Sequence, residues 1–353
     1  MNNLSKFTPL LTSEVDALLL TSPVSRLYAA GYPIAEGMSL ICREACLFFT
    51  DSRYTEDAQN LEGFTVIEVD REHPYSARLN DAIAQYGIKT VGFEENAMSH
   101  GEFLRLSEKL SANFIPFQAK IDKPRQIKQP WELERMRHAQ EITDRTFSEL
   151  LGVITAGMTE RELAAELVYR LSKNGGEGLA FDPIVVTGKN TSLPHGVPSD
   201  AVIENGDFVT LDFGAVWQGY CSDMTRTVAV GYVTDEMRRV YDTVLAAQNA
   251  ALAITRAGVR GCDIDAAARN LIADAGYGAY FGHGYGHGLG LQVHEAPNPN
   301  AANQNPMPAG AVCSAEPGIY LPGKFGVRIE DVVIITENSM ENITNSPKNL
   351  IIL

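Results

Sequence analysis

Residues 209–231, VTLDFGAVWQGYCSDMTRTVAVG, place two aspartates where apolar β-strands have no use for them. Asp212 lies among Val209, Leu211 and Phe213, and Asp223 is followed by Met224, Val228 and Val230. A carboxylate in an apolar strand costs several kcal/mol unless it is paired or binds a cation. Two salt bridges, for example to Arg226, are one reading of this pair. A shared metal centre is the other, and strand parity supports it, because side chains alternate between faces. Thr210 and Asp212 share a face, as do Asp223, Thr225 and Thr227. The threonine hydroxyls are then placed to steady the carboxylates.

The chain has 353 residues, long for one domain and suited to two. Its 29 Lys and Arg against 44 Asp and Glu leave a net charge of -15, which argues against nucleic acid and anionic membrane as partners. The five cysteines form no C-x-x-C pair and are odd in number, so reduced thiols in a cytoplasmic protein are expected. Leu18, Leu19 and Leu20 follow Glu14 and Asp16 and lead into no cleavage pattern or long apolar run, so neither a signal peptide nor a membrane span is expected.

Residues 1–122 alternate short apolar runs with helical patterns and predict a smaller α/β domain. The expected elements are a hairpin over 38–42 and 46–50, a helix over 53–60, a strand over 64–69, a helix over 75–86, a strand over 90–93 and a helix over 101–110. No Walker loop or dinucleotide fingerprint occurs, and His73 and His100 belong to no cluster. Residues 123–130 are polar, hold two prolines and predict a linker. From residue 131 an α+β domain is expected. It opens with amphipathic helices over 131–151 and 159–171, the second started by the Thr159–Glu162 capping box. Strands follow over 183–186, 209–214 and 220–230, then helices over 236–255 and 264–275, and a strand-like remainder from residue 280. The order hints at two α+β halves.

Four further stretches are poorly explained by structure alone. His195 stands in a loop, SLPHGVP, between two prolines. Residues 281–297, FGHGYGHGLGLQVHEAP, carry three of the seven histidines and alternating glycines. Read as a strand, this stretch separates His283 from His287 by roughly 13 Å, so one of them is a ligand and the other a substrate contact unless the glycines bend the chain. Glu316 ends an apolar run before Pro-Gly in CSAEPGIY, and Glu330 shares a face with Arg328 in GVRIEDVVII while Asp331 points the other way. Asp212, Asp223, His287, Glu316 and Glu330 together offer four carboxylates and one imidazole. Two divalent ions would balance four negative charges, and so oxygen-rich a set suits Mn²⁺, with Co²⁺ or Zn²⁺ able to substitute.

On DFGAVWQGYCSDMTRT, LPHG, HGYGHGLGLQVHE, EPGIY and VRIED the chain resembles the pita-bread metallopeptidases that cleave Xaa-Pro bonds, aminopeptidase P and prolidase. The likeness is close over residues 127–353 and looser over a creatinase-type N-terminal domain, where TDSRYTEDA is the best match. Ala315 departs from it, where a larger aliphatic residue is usual. The resemblance implies that Asp212, Asp223, His287, Glu316 and Glu330 ligate two metal ions, with Asp223 and Glu330 bridging. It implies that His195, His283 and His294 are non-ligand active-site histidines and Arg328 the active-site arginine. It further implies small peptides with proline at the second position as substrates, and a homodimer. A metal-free C–N hydrolase of creatinase type, methionine aminopeptidase and a non-catalytic peptide-binding protein are the competing readings. The complete ligand set argues against the first and last, and the long N-terminal domain with His283 against the second.

Overall fold

A computed structural model describes residues 1–353, which divide into two compact units, Met1–Arg125 and Gln126–Leu353. The first is built on one mixed sheet of six strands: β1 (Ala17–Leu20), β2 (Met38–Cys42), β3 (Cys46–Asp51), β4 (Thr65–Val69), β5 (Thr90–Phe93) and β6 (Asn113–Pro116). Their spatial order is β4-β3-β2-β1-β5-β6. The Leu18–Leu20 run is its central strand β1, buried at every position and flanked by antiparallel β2 and parallel β5. Helix Tyr75–Tyr86 lays Leu79, Ala82 and Ile83 on this sheet and ends at Gly87, whose φ of 63° is the left-handed cap that glycine adopts without strain. The expected helix over 53–60 shrinks to one turn, Thr55–Ala58.

The second unit contains β7 (Gly178–Leu179), β8 (Ile184–Thr187), β9 (Phe208–Phe213), β10 (Ala215–Trp217), β11 (Tyr220–Cys221), β12 (Met224–Ala229), β13 (Val312–Ala315), β14 (Gly318–Leu321), β15 (Phe325–Arg328), β16 (Asp331–Ile335) and β17 (Met340–Asn342). Two helix pairs cover them. Helices Pro130–Leu150 and Glu160–Lys173 bury Ile142, Phe147, Leu163 and Leu167 against Val209, Leu211 and Phe213 of β9. Helices Asp235–Ile254 and Gly261–Asp274 bury Val240, Val244, Ile264 and Ile272 against Ile319, Val327 and Val333. Each pair with its strands makes one α+β half, and each core is apolar, the main source of stability in such a layer.

The halves meet at β12. Glu330 N donates to Thr225 O at 3.0 Å, and Thr227 Oγ1 donates to Arg328 O at 3.0 Å. The strand-like remainder expected from residue 280 holds from β13 onward but not before it: residues 281–311 form no regular strand. The alternating glycines there serve close approach instead. A Cβ on Gly286 would lie 2.2 Å from Ser314 O, and one on Gly288 would lie 2.4 Å from Glu295 O. No helix is long and apolar enough to cross a membrane.

Candidate metal centre

Antiparallel pairing of β9 and β12 sets Asp212 opposite Thr225, and Asp223 enters just before β12 from the same direction. Glu316 follows β13, and Glu330 stands between β15 and β16. His287 reaches this group because its segment runs along β13: Ser314 N donates to His287 O at 2.8 Å, His287 N to Ser314 Oγ at 2.9 Å, and Glu316 N to Tyr285 O at 2.8 Å. Glycine at 286 is what allows that contact. The bend brings only His287 onto the cluster. His283 lies at its edge, so the two histidines take different places although the chain is not the straight strand from which that separation was expected.

His287 Nδ1 faces the Gly288 carbonyl at 3.2 Å and so carries its hydrogen there. Nε2 then points inward, 3.2 Å from Glu316 Oε1 and 3.5 Å from Asp223 Oδ2. Ligand atoms of Asp223, His287 and Glu330 all lie within 4.8 Å of one another. Asp212 Oδ2 accepts from Arg328 Nη2 at 2.5 Å, and Glu330 Oε2 accepts from Thr225 Oγ1 at 2.7 Å. The Thr225 hydroxyl therefore steadies Glu330, a carboxylate far away in sequence.

The other oxygen of three of these carboxylates, Asp212 Oδ1, Asp223 Oδ1 and Glu330 Oε1, is buried with no donor. An orphaned buried oxygen costs about 1–3 kcal/mol, and more when charged. Three together in one cluster mark a site short of positive charge. The electrostatics agree. Burial, with Asp212 and Glu316 close by, pushes the Asp223 carboxyl well up, and burial together with Asp223 does the same to Glu330. Burial also raises Asp212, though Arg328 opposes it. Burial works against charge on His287 and Glu316 as well, but each holds the other ionised: the imidazole is lifted to about 9 and the Glu316 carboxyl brought down to about 2. The donor set, one imidazole nitrogen among carboxylate oxygens, fits hard divalent cations.

The cluster forms the floor of a cavity of about 710 Å³, whose lining includes His195, His283, His294 and Arg328. The His294 ring packs edge-on to that of His287, with centroids 4.2 Å apart, and His195 is exposed on the cavity wall. His283 Nδ1 faces the Gly284 carbonyl at 2.9 Å, which leaves Nε2 to accept from the Tyr320 hydroxyl at 2.9 Å. Tyr320 in turn accepts from Arg328 Nη1 at 2.7 Å. Sequence reasoning assigned Tyr320 nothing, although it closes the EPGIY motif. Arg226, read as a possible partner of the two strand aspartates, pairs instead with buried Asp331 at 2.8 Å and caps the Ser346 carbonyl at 2.7 Å.

A two-unit chain whose second unit gathers four carboxylates and a histidine at the floor of a cavity belongs to the class of metal-dependent hydrolases. Residues 134–337 match metallopeptidase family M24, and residues 9–127 match the creatinase/prolidase N-terminal domain. The chain is a member of metallopeptidase family M24, with a creatinase-type domain ahead of a pita-bread domain. It is 36% identical to a Xaa-Pro dipeptidase of Pyrococcus horikoshii over 96% of this chain and 95% of that protein. The structure of a Xaa-Pro dipeptidase from Bacillus anthracis is similar at a TM-score of 0.96 and 39% identity, covering 99% of this chain and all of that one. That of an X-Pro aminopeptidase from Thermotoga maritima is similar at 0.92 and 40%, with both chains fully covered.

Proposed function

We propose that this chain hydrolyses the bond between the first residue of a short peptide and a proline at the second position, in dipeptides and longer peptides, with two divalent ions, Mn²⁺ foremost. Asp212, Asp223, His287, Glu316 and Glu330 hold the ions. The orphaned carboxylate oxygens of Asp212, Asp223 and Glu330, with His287 Nε2 turned toward Asp223, carry this reading. When bound, such ions supply a water activated at neutral pH and a Lewis acid for the scissile carbonyl.

The residues supply the rest. Glu316 takes the proton of the attacking water and passes it to the proline nitrogen, which has no N–H and must be protonated to leave. His294, with His195, donates to the oxygen that becomes negative. His283, fixed by Tyr320, lines the proline pocket. Arg328 holds both Asp212 and Tyr320 and so ties the ligand cluster to that pocket.

A panel of Xaa-Pro dipeptides, Xaa-Pro-Yaa tripeptides and matched Xaa-Ala peptides, assayed with Mn²⁺, tests this. Cleavage confined to the proline members is expected, and the ratio of dipeptide to tripeptide rates defines the subtype. Equal turnover of the alanine peptides would overturn the reading. Five free cysteines suit a reducing cytoplasm. The family resemblance supports a homodimer, so light scattering should give about twice 38.5 kDa, and a mass near 38.5 kDa refutes it.

A further inference from the structure

Glu160 is the first residue of helix Glu160–Lys173, and it is completely buried. Its charge is met by four neutral donors. Oε1 accepts from Thr187 N at 2.8 Å and from Asn190 Nδ2 at 2.9 Å. Oε2 accepts from Ser199 N at 2.8 Å and from Ser199 Oγ at 2.6 Å. The donors lie on two separate pieces of chain, one at each end of the loop 188–198. Between those ends the loop runs along the cavity wall and carries His195. Its tip is open to solvent, with Leu193 55% and Val197 81% exposed. The start of the loop is anchored, with Thr191 buried and its Oγ1 accepting from Gly326 N at 2.8 Å. The exposed tip has less packing to fix it, and an ordered segment must recover its backbone entropy elsewhere. One carboxylate gathering both ends does this. Arg328 Nη1 adds a further tie, donating to Pro194 O at 3.2 Å, next to the histidine.

We propose that Glu160 is a positioning residue for catalysis: by clamping both ends of loop 188–198 it fixes His195 over the cavity. The proposal rests on the reading of His195 as a donor to the developing oxyanion. Glu160 touches no substrate and no metal ligand, so its influence passes through the loop alone.

The amide of Glu160→Gln keeps one acceptor and turns an N–H₂ toward donors on the other side, so half the clamp fails. Ser199→Ala and Asn190→Ala each remove one donor from the loop side and leave the helix untouched. Misplacing a catalytic group by about 1 Å costs up to ~10²-fold. Glu160→Gln should therefore lower kcat about 10–10²-fold, with KM and bound metal unchanged, and the two alanine variants should show smaller losses of the same kind. The decisive measurement is a double-mutant cycle with His195→Ala. Once His195 is gone the clamp has nothing to position, so Glu160→Gln should cause no further loss in that background. Multiplied losses would overturn the inference and leave the function standing, as would unchanged kcat in Glu160→Gln. Should that variant fail to fold, Ser199→Ala and Asn190→Ala run through the same cycle and are judged the same way. Normal kinetics in His195→Ala would overturn the role of His195 and the inference with it.

Discussion

His287→Ala is expected to empty the metal centre and abolish hydrolysis, while His283→Ala and His294→Ala keep their metal. The three lie within twelve residues of one another, yet their surroundings differ. Only His287 turns Nε2 into the carboxylates, because the Gly288 carbonyl fixes the hydrogen on Nδ1. His294 packs against the His287 ring with its own ring open to the cavity, so its loss removes a donor and no ligand. Loss of one oxyanion donor typically costs ~10²–10³-fold in kcat with little change in KM. His283 is engaged by Tyr320, so its removal should raise KM and weaken the preference for proline. Metal analysis and steady-state kinetics on the three variants check this together. Equal metal loss in all three would show the separation of ligand from non-ligand to be wrong, and normal kinetics in His283→Ala and His294→Ala would make those two histidines structural.

What was legible in the sequence follows the range of the interactions involved. The helix 75–86 and the Thr159–Glu162 capping box are written in residues three or four apart, and both stand where the pattern put them. The strand pair carrying Asp212 and Asp223 was legible for the same reason, since parity is local. The hydroxyl parity of Thr225 was right, but its partner, Glu330, is more than a hundred residues away and no periodicity points to it. Residues 281–311 misled because a strand reading assumes backbone pairing along its length. Here the backbone bonds to β13 only over 285–289, with Gly286 pressed against the Ser314 carbonyl and Gly288 against that of Glu295. Tyr320 went unassigned because an aromatic residue in an apolar strand looks like core until Arg328 and His283 are seen on its hydroxyl. Arg226 is the converse case. It sat next to the right aspartates in sequence, but strand alternation turns it to the opposite face, where Asp331 waits.

Metal binding should release protons, and the stability it confers should grow as pH rises. In the metal-free protein Asp212, Asp223 and Glu330 are held above their ordinary carboxyl range by burial and mutual repulsion. His287 is held at about 9, despite its burial, by Glu316 and Asp223. A group whose value is raised by folding stabilises the fold fully below its unfolded value, ~4 for carboxyls and ~6.5 for imidazole, and loses that contribution as pH climbs through the raised one. Glu316, brought down to about 2, behaves oppositely: its contribution is present above its unfolded value and lost only as pH falls toward 2. Between pH 5 and 9 the four raised groups therefore dominate, and the metal-free protein should weaken steadily. A divalent ion takes the place of those protons, so affinity must increase with pH until His287 is deprotonated near 9. With free Mn²⁺ at about 1,000 times Kd, binding adds about 4 kcal/mol of stability. Calorimetric unfolding of chelated and Mn²⁺-loaded protein should show a Tm gap that widens from pH 5.5 to 8.5. Titration calorimetry in two buffers of different ionisation enthalpy should show proton release on binding at pH 7, with His287 one source. A constant gap with no proton release would mean that these carboxylates and His287 are not where the ion binds, whatever their geometry suggests.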